Sequence, residues 1–353
     1  VAMAADITTT PKKLRILGED LIAFRDRKGR PGLLYPRCMH RGTTLYYGKV
    51  EDEGIRCCYH GWLFDVEGHC LDQPCEPDQG AGRREKVRQP WYPVQELYGL
   101  VWAYMGPPDK KPVLTRWDTL EDLGADEKIY ATGASIGAGG DDLVEIVPCN
   151  WLQDWENIMD PFHVPILHTT FSTVQFVPEF GVMPTVKWEH ASHGMRYIAY
   201  RELDDGRKMD RITQSLFPHA RIVPDIRMKE GPAAGVGWVV PVDDTHFRLF
   251  HARKVPKNFK PISVRHYENR IWSELSEDEH QRFPGDWEAQ VGQGPISLHS
   301  EENLATSDLG VVQLRRLLRR QIEIVKEGGD PLGVCFDPAQ AVVKVQAGNF
   351  FKK

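Results

Sequence analysis

Two short pairs of cysteine and histidine constrain this chain more than any other feature of its sequence. Cys38 and His40 form the first pair, and Cys57 and His60 form the second, in the spacing C-x-H-x16-C-x2-H. Two thiolates and two imidazoles can together bind a metal, and structural zinc is one candidate. Each loop here supplies one cysteine and one histidine, whereas zinc fingers usually place both cysteines first. The alternation favours a two-iron cluster in which one iron takes the cysteines and the other takes the histidines.

A second set of candidate ligands lies on a predicted helix that starts near residue 150. His163 and His168 are five residues apart, which separates them by about 140° on an ideal helix. Pro161 and Pro165 each remove a backbone donor and can distort the helix until the two imidazoles converge. With a carboxylate from elsewhere they would form a 2-His-1-carboxylate site with positions open for dioxygen, as in non-haem iron(II) oxygenases. On spacing alone, two unrelated histidines are the alternative interpretation.

Composition and charge exclude several classes of protein. The 353 residues carry a net charge of -6, which argues against a nucleic-acid-binding surface. The sequence contains neither a run of roughly 18 apolar residues that predicts a membrane span nor a secretory signal pattern. The cysteines number seven, and this odd, scattered set fits a reducing compartment better than a disulfide framework. We therefore expect a cytoplasmic protein with no membrane or nucleic-acid partner.

The order of the predicted elements indicates an α+β fold in two domains. Short extended runs broken by turns occupy about residues 14–105, and the block at 106–112, rich in proline, is typical of a linker. Strand-like runs return over 183–256, and helical stretches follow near 261–280 and 308–327. We place the boundary after residue 106, which gives domains over 1–106 and 107–353.

The first constellation resembles the Rieske family, whose two sequence boxes are matched position for position. Cys58 also stands shortly before His60, so the spacing leaves two cysteines open, and the family box selects Cys57. Rieske proteins of electron-transfer chains carry a disulfide between the two loops, but this chain has Thr43 and Tyr59 at those positions. The resemblance is therefore to the oxygenase type of Rieske domain.

The segment 156–168 is similar to the mononuclear-iron motif of the Rieske non-haem iron ring-hydroxylating oxygenases. The resemblance implies that His163 and His168 bind the iron. The C-terminal region offers three carboxylates as the third ligand, namely Asp278, Asp286 and Asp308. The sequence around Asp286 resembles the stretch that carries the distal ligand in phthalate-oxygenase-like members, so Asp286 is the predicted ligand.

The same resemblance implies roles for two residues beside the iron motif. Asp160 would accept a hydrogen bond from His163 and link it to His60 of a neighbouring subunit, which is the electron path in the family. Asn157 also lies beside the iron segment in the family pattern, and an ordinary helix hydrogen bond is its alternative role.

Together these matches imply the catalytic (alpha) subunit of such an oxygenase, with an antiparallel-sheet Rieske domain followed by a helix-grip catalytic domain. It would use O2 and supplied electrons to hydroxylate or oxidatively O-demethylate an aromatic, carboxylated substrate, as in the phthalate, vanillate and toluenesulfonate branch. The implied cofactors are a [2Fe-2S] cluster and a mononuclear Fe(II). The implied partners are a separate NAD(P)H-dependent reductase of flavin and ferredoxin type and further copies of the chain in a homotrimer. The alternative is a Rieske electron carrier without oxygen chemistry of its own.

Several arginines of the predicted catalytic domain could pair with a substrate carboxylate. They are Arg196, Arg201, Arg207, Arg211, Arg221 and Arg227. The sequence offers no basis for choosing among them.

Overall fold

The structure is a computed structural model that describes residues 1–134, 136, 146–171, 173–261, 270 and 272–352. The chain divides into two compact units, Val1–Lys111 and Pro112–Lys353, which we call the N-terminal and the C-terminal unit. The division falls inside the linker-like block 106–112. Among the described residues, no helix combines the length and the apolar character that crossing a membrane requires.

The N-terminal unit is built from short antiparallel strands. They are β1 (Ala2–Met3), β2 (Lys12–Ile16), β3 (Glu19–Arg25), β4 (Pro31–Leu34), β5 (Lys49–Val50), β6 (Ile55–Arg56), β7 (Leu63–Phe64), β8 (Cys70–Asp72), β9 (Val94–Leu97) and β10 (Leu100–Ala103). They form sheets with the orders β1-β10-β9, β2-β3-β4 and β5-β6-β7-β8. Strand β2 shows the expected alternation, because Leu14 and Ile16 are buried while their neighbours face outward.

The core of this unit holds two of the predicted ligands. Phe24, Leu45 and Phe64 are fully buried there, and Cys38 and Cys57 pack in the same apolar cluster. Burial of large side chains under the two Cys/His loops fixes the sheet that carries them.

The C-terminal unit has strands β11 (Arg116–Trp117), β12 (Glu127–Ala134), β13 (Thr185–Ala191), β14 (Gly194–Glu202), β15 (Lys208–Leu216), β16 (Ala220–Ile222), β17 (Gly231–Pro232), β18 (Gly235–Asp243), β19 (His246–Pro256), β20 (Val342–Val343) and β21 (Gly348–Lys352). Its helices are α1 (Asp118–Glu121), α2 (Trp151–Asn157), α3 (His163–Pro165), α4 (Glu277–Arg282), α5 (Asp286–Val291) and α6 (Leu309–Lys326). A long antiparallel sheet has the order β12-β19-β18-β16-β15-β14-β13, and β21 joins β15 and β17. The antiparallel sheets with their helices confirm the predicted α+β class.

Helices pack on this sheet through a common core. Trp155 of α2 and Leu314 of α6 are fully buried against strand residues such as Phe247. Helix α2 starts where the Asn150 side chain accepts a hydrogen bond from the backbone N–H of Leu152, at 2.9 Å. The helix predicted near 308–327 is present as α6.

Helix α4 lies at the end of the stretch near 261–280 that is predicted to be helical. Residues 262–269 and 271 of that stretch lie outside the described residues. Helix α4 starts after Ser276, whose side chain accepts a hydrogen bond from the backbone N–H of Glu279, while the Glu279 carboxylate accepts one from the backbone N–H of Ser276. This capping box sets the start of the helix.

Candidate metal centres

The two Cys/His loops of the N-terminal unit have the same backbone design. The N–H of each cysteine donates to the carbonyl five residues further along the chain, at 2.9 Å for Cys38 and 2.8 Å for Cys57. Gly42 and Gly61, each four residues after its cysteine, have φ of 77° and 71°. Because this left-handed conformation favours glycine, the flanking glycines let each loop turn sharply and present its Cys and His together.

The two histidines of these loops face each other. The ring centroids of His40 and His60 lie 4.5 Å apart in an edge-on arrangement. The ring of His40 stacks on Trp62 with an interplanar angle of 4°. The Nδ1 atom of His40 is buried and has no hydrogen-bond partner among the described residues. Such a nitrogen is available to bind a metal, so His40 fits the ligand role that the motif implies.

The two cysteines of these loops form the other half of the site. Burial, followed by the proximity of Cys57, raises the pKa of Cys38 to about 12, while backbone N–H groups of His40 and Arg41 act in the opposite direction. A bound cation would replace the thiol proton, since thiolates are the ligands of iron and zinc. Cys58, in contrast, is exposed.

The second centre lies in the C-terminal unit, where a change of helix type brings two histidines together. His163 opens α3, and the segment Ile166–Thr170 that contains His168 is a π-helix. Its i to i+5 bond runs from the N–H of Phe171 to the carbonyl of Ile166, at 2.8 Å. Residues five apart share a face on a π-turn, and π-turns are frequent at functional sites. The ring centroids of the two histidines are 5.2 Å apart.

Asp286, the first residue of α5, faces both imidazoles. Its Oδ1 lies 3.3 Å from Nε2 of His168 and 3.7 Å from Nε2 of His163. Ligand atoms of all three residues lie within 4.8 Å of one another. The other two candidate carboxylates lie elsewhere. Asp278 pairs with Arg282 on the surface, and Asp308 accepts from the backbone N–H of Ala305.

Gln175 is a residue of this site that the sequence analysis missed. Its Oε1 lies 2.8 Å from Nδ1 of His168, and its Nε2 donates to the carbonyl of Pro284 at 2.9 Å. One amide therefore joins the segment that carries His168 to the segment that leads into Asp286. A lone glutamine seven residues after a histidine has no sequence signature that would reveal this contact.

The two residues implied beside the iron motif lie close to the ligands. Oδ2 of Asp160 is 3.5 Å from Nδ1 of His163, which is longer than an ordinary hydrogen bond. Burial would raise the pKa of Asp160, but His163 and the N–H of Phe162 hold it below its usual value. Nδ2 of Asn157 is 3.4 Å from Oδ1 of Asp286, so this amide faces the third predicted ligand.

The charges of the three residues suit a divalent cation. Burial alone would raise the pKa of Asp286, but His168, His163 and the nearby Arg221 cation hold it well below its usual range. An anionic carboxylate with two imidazoles on one side is the facial set found in non-haem iron(II) enzymes. The residues present therefore fit the group that the motif implies.

A groove with a volume of about 550 Å³ opens beside Asp160 and Asn157. Its lining is rich in carboxylates, including Glu156, Glu301 and Glu302. Arg315 of α6 binds two of them, with Nε and Nη2 each 2.6 Å from an oxygen of Glu156. The groove is thus an acidic surface next to the predicted electron-path residue.

Comparison with known proteins identifies the family of this chain. Residues 1–93 match the family model of the Rieske [2Fe-2S] domain. The chain is 56% identical, over 99% of its own length and 86% of the relative's, to the phenoxybenzoate dioxygenase subunit alpha of Ectopseudomonas oleovorans. It is 31% identical, over 94% and 76% of the two chains, to the 5,5'-dehydrodivanillate O-demethylase oxygenase subunit of Sphingobium sp.. It is 29% identical, over 92% of its own length and 80% of the relative's, to the phthalate 4,5-dioxygenase oxygenase subunit of Pseudomonas putida.

Solved structures share the fold at lower sequence identity. NdmB of Pseudomonas putida CBB5 has a TM-score of 0.61 at 18% identity, covering 91% of this chain and 87% of that one. Dicamba monooxygenase bound to dicamba has a TM-score of 0.56 at 16% identity, and the match covers 94% of this chain and 89% of that one.

These relatives confirm the family predicted from the Cys/His boxes and the iron motif, and they are oxygenases rather than electron carriers. Membership brings both cofactors, the Rieske [2Fe-2S] cluster and a mononuclear iron, so the structural-zinc alternative is wrong. It also brings the reductase on which oxygenase components depend for electrons. The chain belongs to the oxygenase (alpha) subunits of the Rieske non-haem iron oxygenases.

Proposed function

We propose that this chain oxidises an aromatic acid with O2, and that His163, His168 and Asp286 hold the iron at which this happens. The observation that carries the proposal is that both Nε2 atoms face one oxygen of Asp286. We assign the C-terminal unit, predicted as residues 107–353, as the catalytic domain. The N-terminal unit, predicted as 1–106, is the cluster domain, with Cys38, His40, Cys57 and His60 as the cluster ligands.

When bound, the cluster supplies single electrons and the iron binds and activates dioxygen. The chain's own residues orient the ligands for this task. Oε1 of Gln175 accepts a hydrogen bond from Nδ1–H of His168, which leaves the Nε2 lone pair for the metal. Asp160 faces Nδ1 of His163 at 3.5 Å, and this nitrogen has no hydrogen-bond partner in the described part of the chain.

The substrate class follows from the relatives that the chain resembles. Their names specify phenoxybenzoate, phthalate and 5,5'-dehydrodivanillate. Phenoxybenzoate and phthalate are aromatic carboxylates, and the relative with 56% identity acts on the former. We therefore propose an aromatic carboxylate as the substrate, with ring hydroxylation or oxidative O-demethylation as the reaction.

We further propose that the chain works as a homotrimer in which Asp160 accepts a hydrogen bond from His60 of a neighbouring subunit. The Asp160 side chain is 31% exposed and lines the acidic groove, so it is accessible to a second molecule. A carboxylate between two imidazoles links both by hydrogen bonds and fixes their orientation.

The electrons come from a separate NAD(P)H-dependent reductase with flavin and a ferredoxin-type centre. This sequence carries no glycine fingerprint of a nicotinamide or flavin site in a Rossmann fold. We therefore place the enzyme in the cytoplasm, where NAD(P)H is available.

The test is a product screen with the purified holoenzyme, a surrogate reductase and 18O2. Phenoxybenzoate, phthalate and methoxybenzoates are offered in parallel with the same rings lacking a carboxylate. We expect 18O in the product or in the released fragment, and turnover of the acids only. Turnover of the neutral rings at equal rates would contradict the proposed substrate class.

A further inference from the structure

The structure separates the arginines that the sequence left equivalent. Arg196 binds Glu189, and Arg207 binds Asp205 at the surface. Arg211 is buried, and it donates hydrogen bonds to the carbonyls of Asp225 and Pro224 and to Oδ1 of Asn349. Arg201 donates to the carbonyl of Val182, and Arg227 is exposed. Arg221 differs from all of these, because it is directed toward the helix that lies beside the iron ligands.

One edge of the Arg221 guanidinium is fixed by a buried carboxylate. Its Nη1 lies 2.7 Å from each oxygen of Asp154, whose side chain is only 1% exposed. The Arg221 side chain remains 24% exposed, and its Nε and Nη2 have no hydrogen-bond partner in the described part of the chain. Such a guanidinium is pre-organised, since it loses little side-chain freedom when the remaining N–H groups bind a ligand.

The position of this pair ties it to the iron ligands. Asp154 lies on α2 one turn before Asn157, whose amide faces Asp286 at 3.4 Å. The Arg221–Asp154 pair is therefore connected through α2 to the residue that faces the third predicted iron ligand.

A glycine on the neighbouring strand lets the Arg221 and His251 side chains lie close against the sheet. Gly237 of β18 pairs with Arg221 on one side and with His251 of β19 on the other, so the three share one face of the sheet. A Cβ at Gly237 would lie 3.1 Å from Cγ of Arg221 and 3.5 Å from Cδ2 of His251. The glycine has an ordinary backbone conformation, so space rather than φ is what a side chain would disturb.

We propose that Arg221 binds the carboxylate of the substrate through Nε and Nη2, with Asp154 holding the guanidinium in place and Gly237 accommodating its aliphatic stem. This inference rests on the proposed function, because it requires an aromatic acid as the substrate. His251, across the glycine, offers a second polar contact to the same ligand. Burial lowers the pKa of His251 to about 3, so its imidazole is neutral at pH 7.

The test compares the dissociation constants of phenoxybenzoate and its carboxamide on the holoenzyme, by calorimetry. Two hydrogen bonds from a guanidinium to a carboxylate predict a preference for the acid of about tenfold or more. Arg221→Gln alone would leave the buried Asp154 carboxylate without its partner, so it is combined with Asp154→Asn. Arg221→Lys is made in parallel. Arg221→Lys keeps the positive charge next to Asp154 but loses the planar guanidinium, whose N–H groups can bind a carboxylate in pairs.

We expect both variants to lose the preference for the acid, while affinity for the carboxamide changes by less than about threefold. Arg196→Gln, which removes an arginine paired with Glu189 elsewhere on the sheet, keeps the preference. Retention of the wild-type preference in both Arg221 variants would overturn the proposal and leave the substrate class standing. Equal binding of acid and carboxamide by the wild-type enzyme would instead overturn the substrate class itself.

Discussion

Nδ1 of His168 and Oε1 of Gln175 lie 2.8 Å apart, and the same amide donates to the carbonyl of Pro284, two residues before Asp286. This single side chain sets the tautomer of one predicted iron ligand and the position of another. Carboxamide and carboxylate partners of this kind raise the basicity of a ligating imidazole and fix the ring.

Replacing Gln175 tests this role. Gln175→Leu removes both hydrogen bonds, so we expect affinity for iron at the second centre to fall by about tenfold to a hundredfold. Gln175→Glu keeps an oxygen for Nδ1 of His168 and should retain most of the iron. The measurement is the iron that remains after dialysis against a chelator, relative to the visible absorbance of the cluster. Equal retention of iron by the Leu variant and the wild type would show that Gln175 does not support the iron site.

Asp160 provides a different test, because its proposed role is in electron transfer rather than in binding metal. Asp160→Asn keeps the shape but loses the charge that faces His163. We expect both metal centres to be retained and turnover to fall by about tenfold or more. Single-turnover mixing of the reduced enzyme with substrate and O2 measures how fast the cluster is reoxidised. A cluster reoxidised at the wild-type rate would argue against the proposed path.

Gly310 lets α6 approach the iron motif. A Cβ there would lie 2.1 Å from Nε1 of Trp188 and 2.4 Å from the carbonyl of Met159, the donor and acceptor of a 3.1 Å hydrogen bond. We expect Gly310→Ala to lower the free energy of unfolding by about 1–3 kcal/mol. The matched control is Gly124→Ala, whose Cβ would meet only the flexible Glu127 side chain, at 3.3 Å. Urea denaturation compares the two variants. Equal losses in the free energy of unfolding would show that the close approach of α6 at Gly310 does not exclude a side chain.

The ion pairs of Arg315 connect α6 to α2. Arg315 and Glu156 have side chains only 11% and 10% exposed, so removing the arginine leaves a buried carboxylate without its partner. We expect Arg315→Ala to cost about 3–5 kcal/mol. Lys326→Ala on the same helix removes a pair with Glu323 that is more than half exposed, and should cost less than about 1 kcal/mol. Similar unfolding midpoints for the two variants would contradict this difference.

His219 predicts a pH dependence of stability. Burial lowers its pKa from the ordinary value to about 4, and its buried Nδ1 has no partner among the residues described. The folded protein therefore binds this proton less tightly than the unfolded chain. The stabilising effect is complete above about pH 6.5 and is lost as the pH falls toward 4. Between pH 6.5 and 5.5 we expect the loss of stability, measured by urea denaturation, to be smaller by roughly 1 kcal/mol in His219→Gln than in the wild type. An identical loss in the variant would assign the effect to other groups.

The sequence predicted the local parts of this structure better than the parts that depend on tertiary contact. The proline-bearing segment around His163 and His168 indicated a distorted helix, and a π-turn is present there. The start of α4 after Ser276 was also visible in principle, because Ser276 and Glu279 have the spacing of a capping box.

Two features of the site lay beyond sequence reasoning. Gln175 acts through a hydrogen bond to a carbonyl 109 residues away, and no local pattern encodes such a contact. Arg221 becomes distinct from the other arginines through its contact with Asp154, which is 67 residues away in the sequence. In both cases the information lies in how distant segments pack and not in spacing along the chain.

The most direct test of the account is a metal analysis of the anaerobically purified chain and of His163→Ala. The wild type should contain iron and acid-labile sulfide in a ratio of about 3 to 2, and the variant a ratio of about 1 to 1. The variant should keep the electron paramagnetic resonance signal of the reduced cluster while losing the signal of the ferrous nitrosyl adduct and all product formation. A variant that keeps the wild-type ratio and still forms product would contradict the assignment of the iron site to His163, His168 and Asp286.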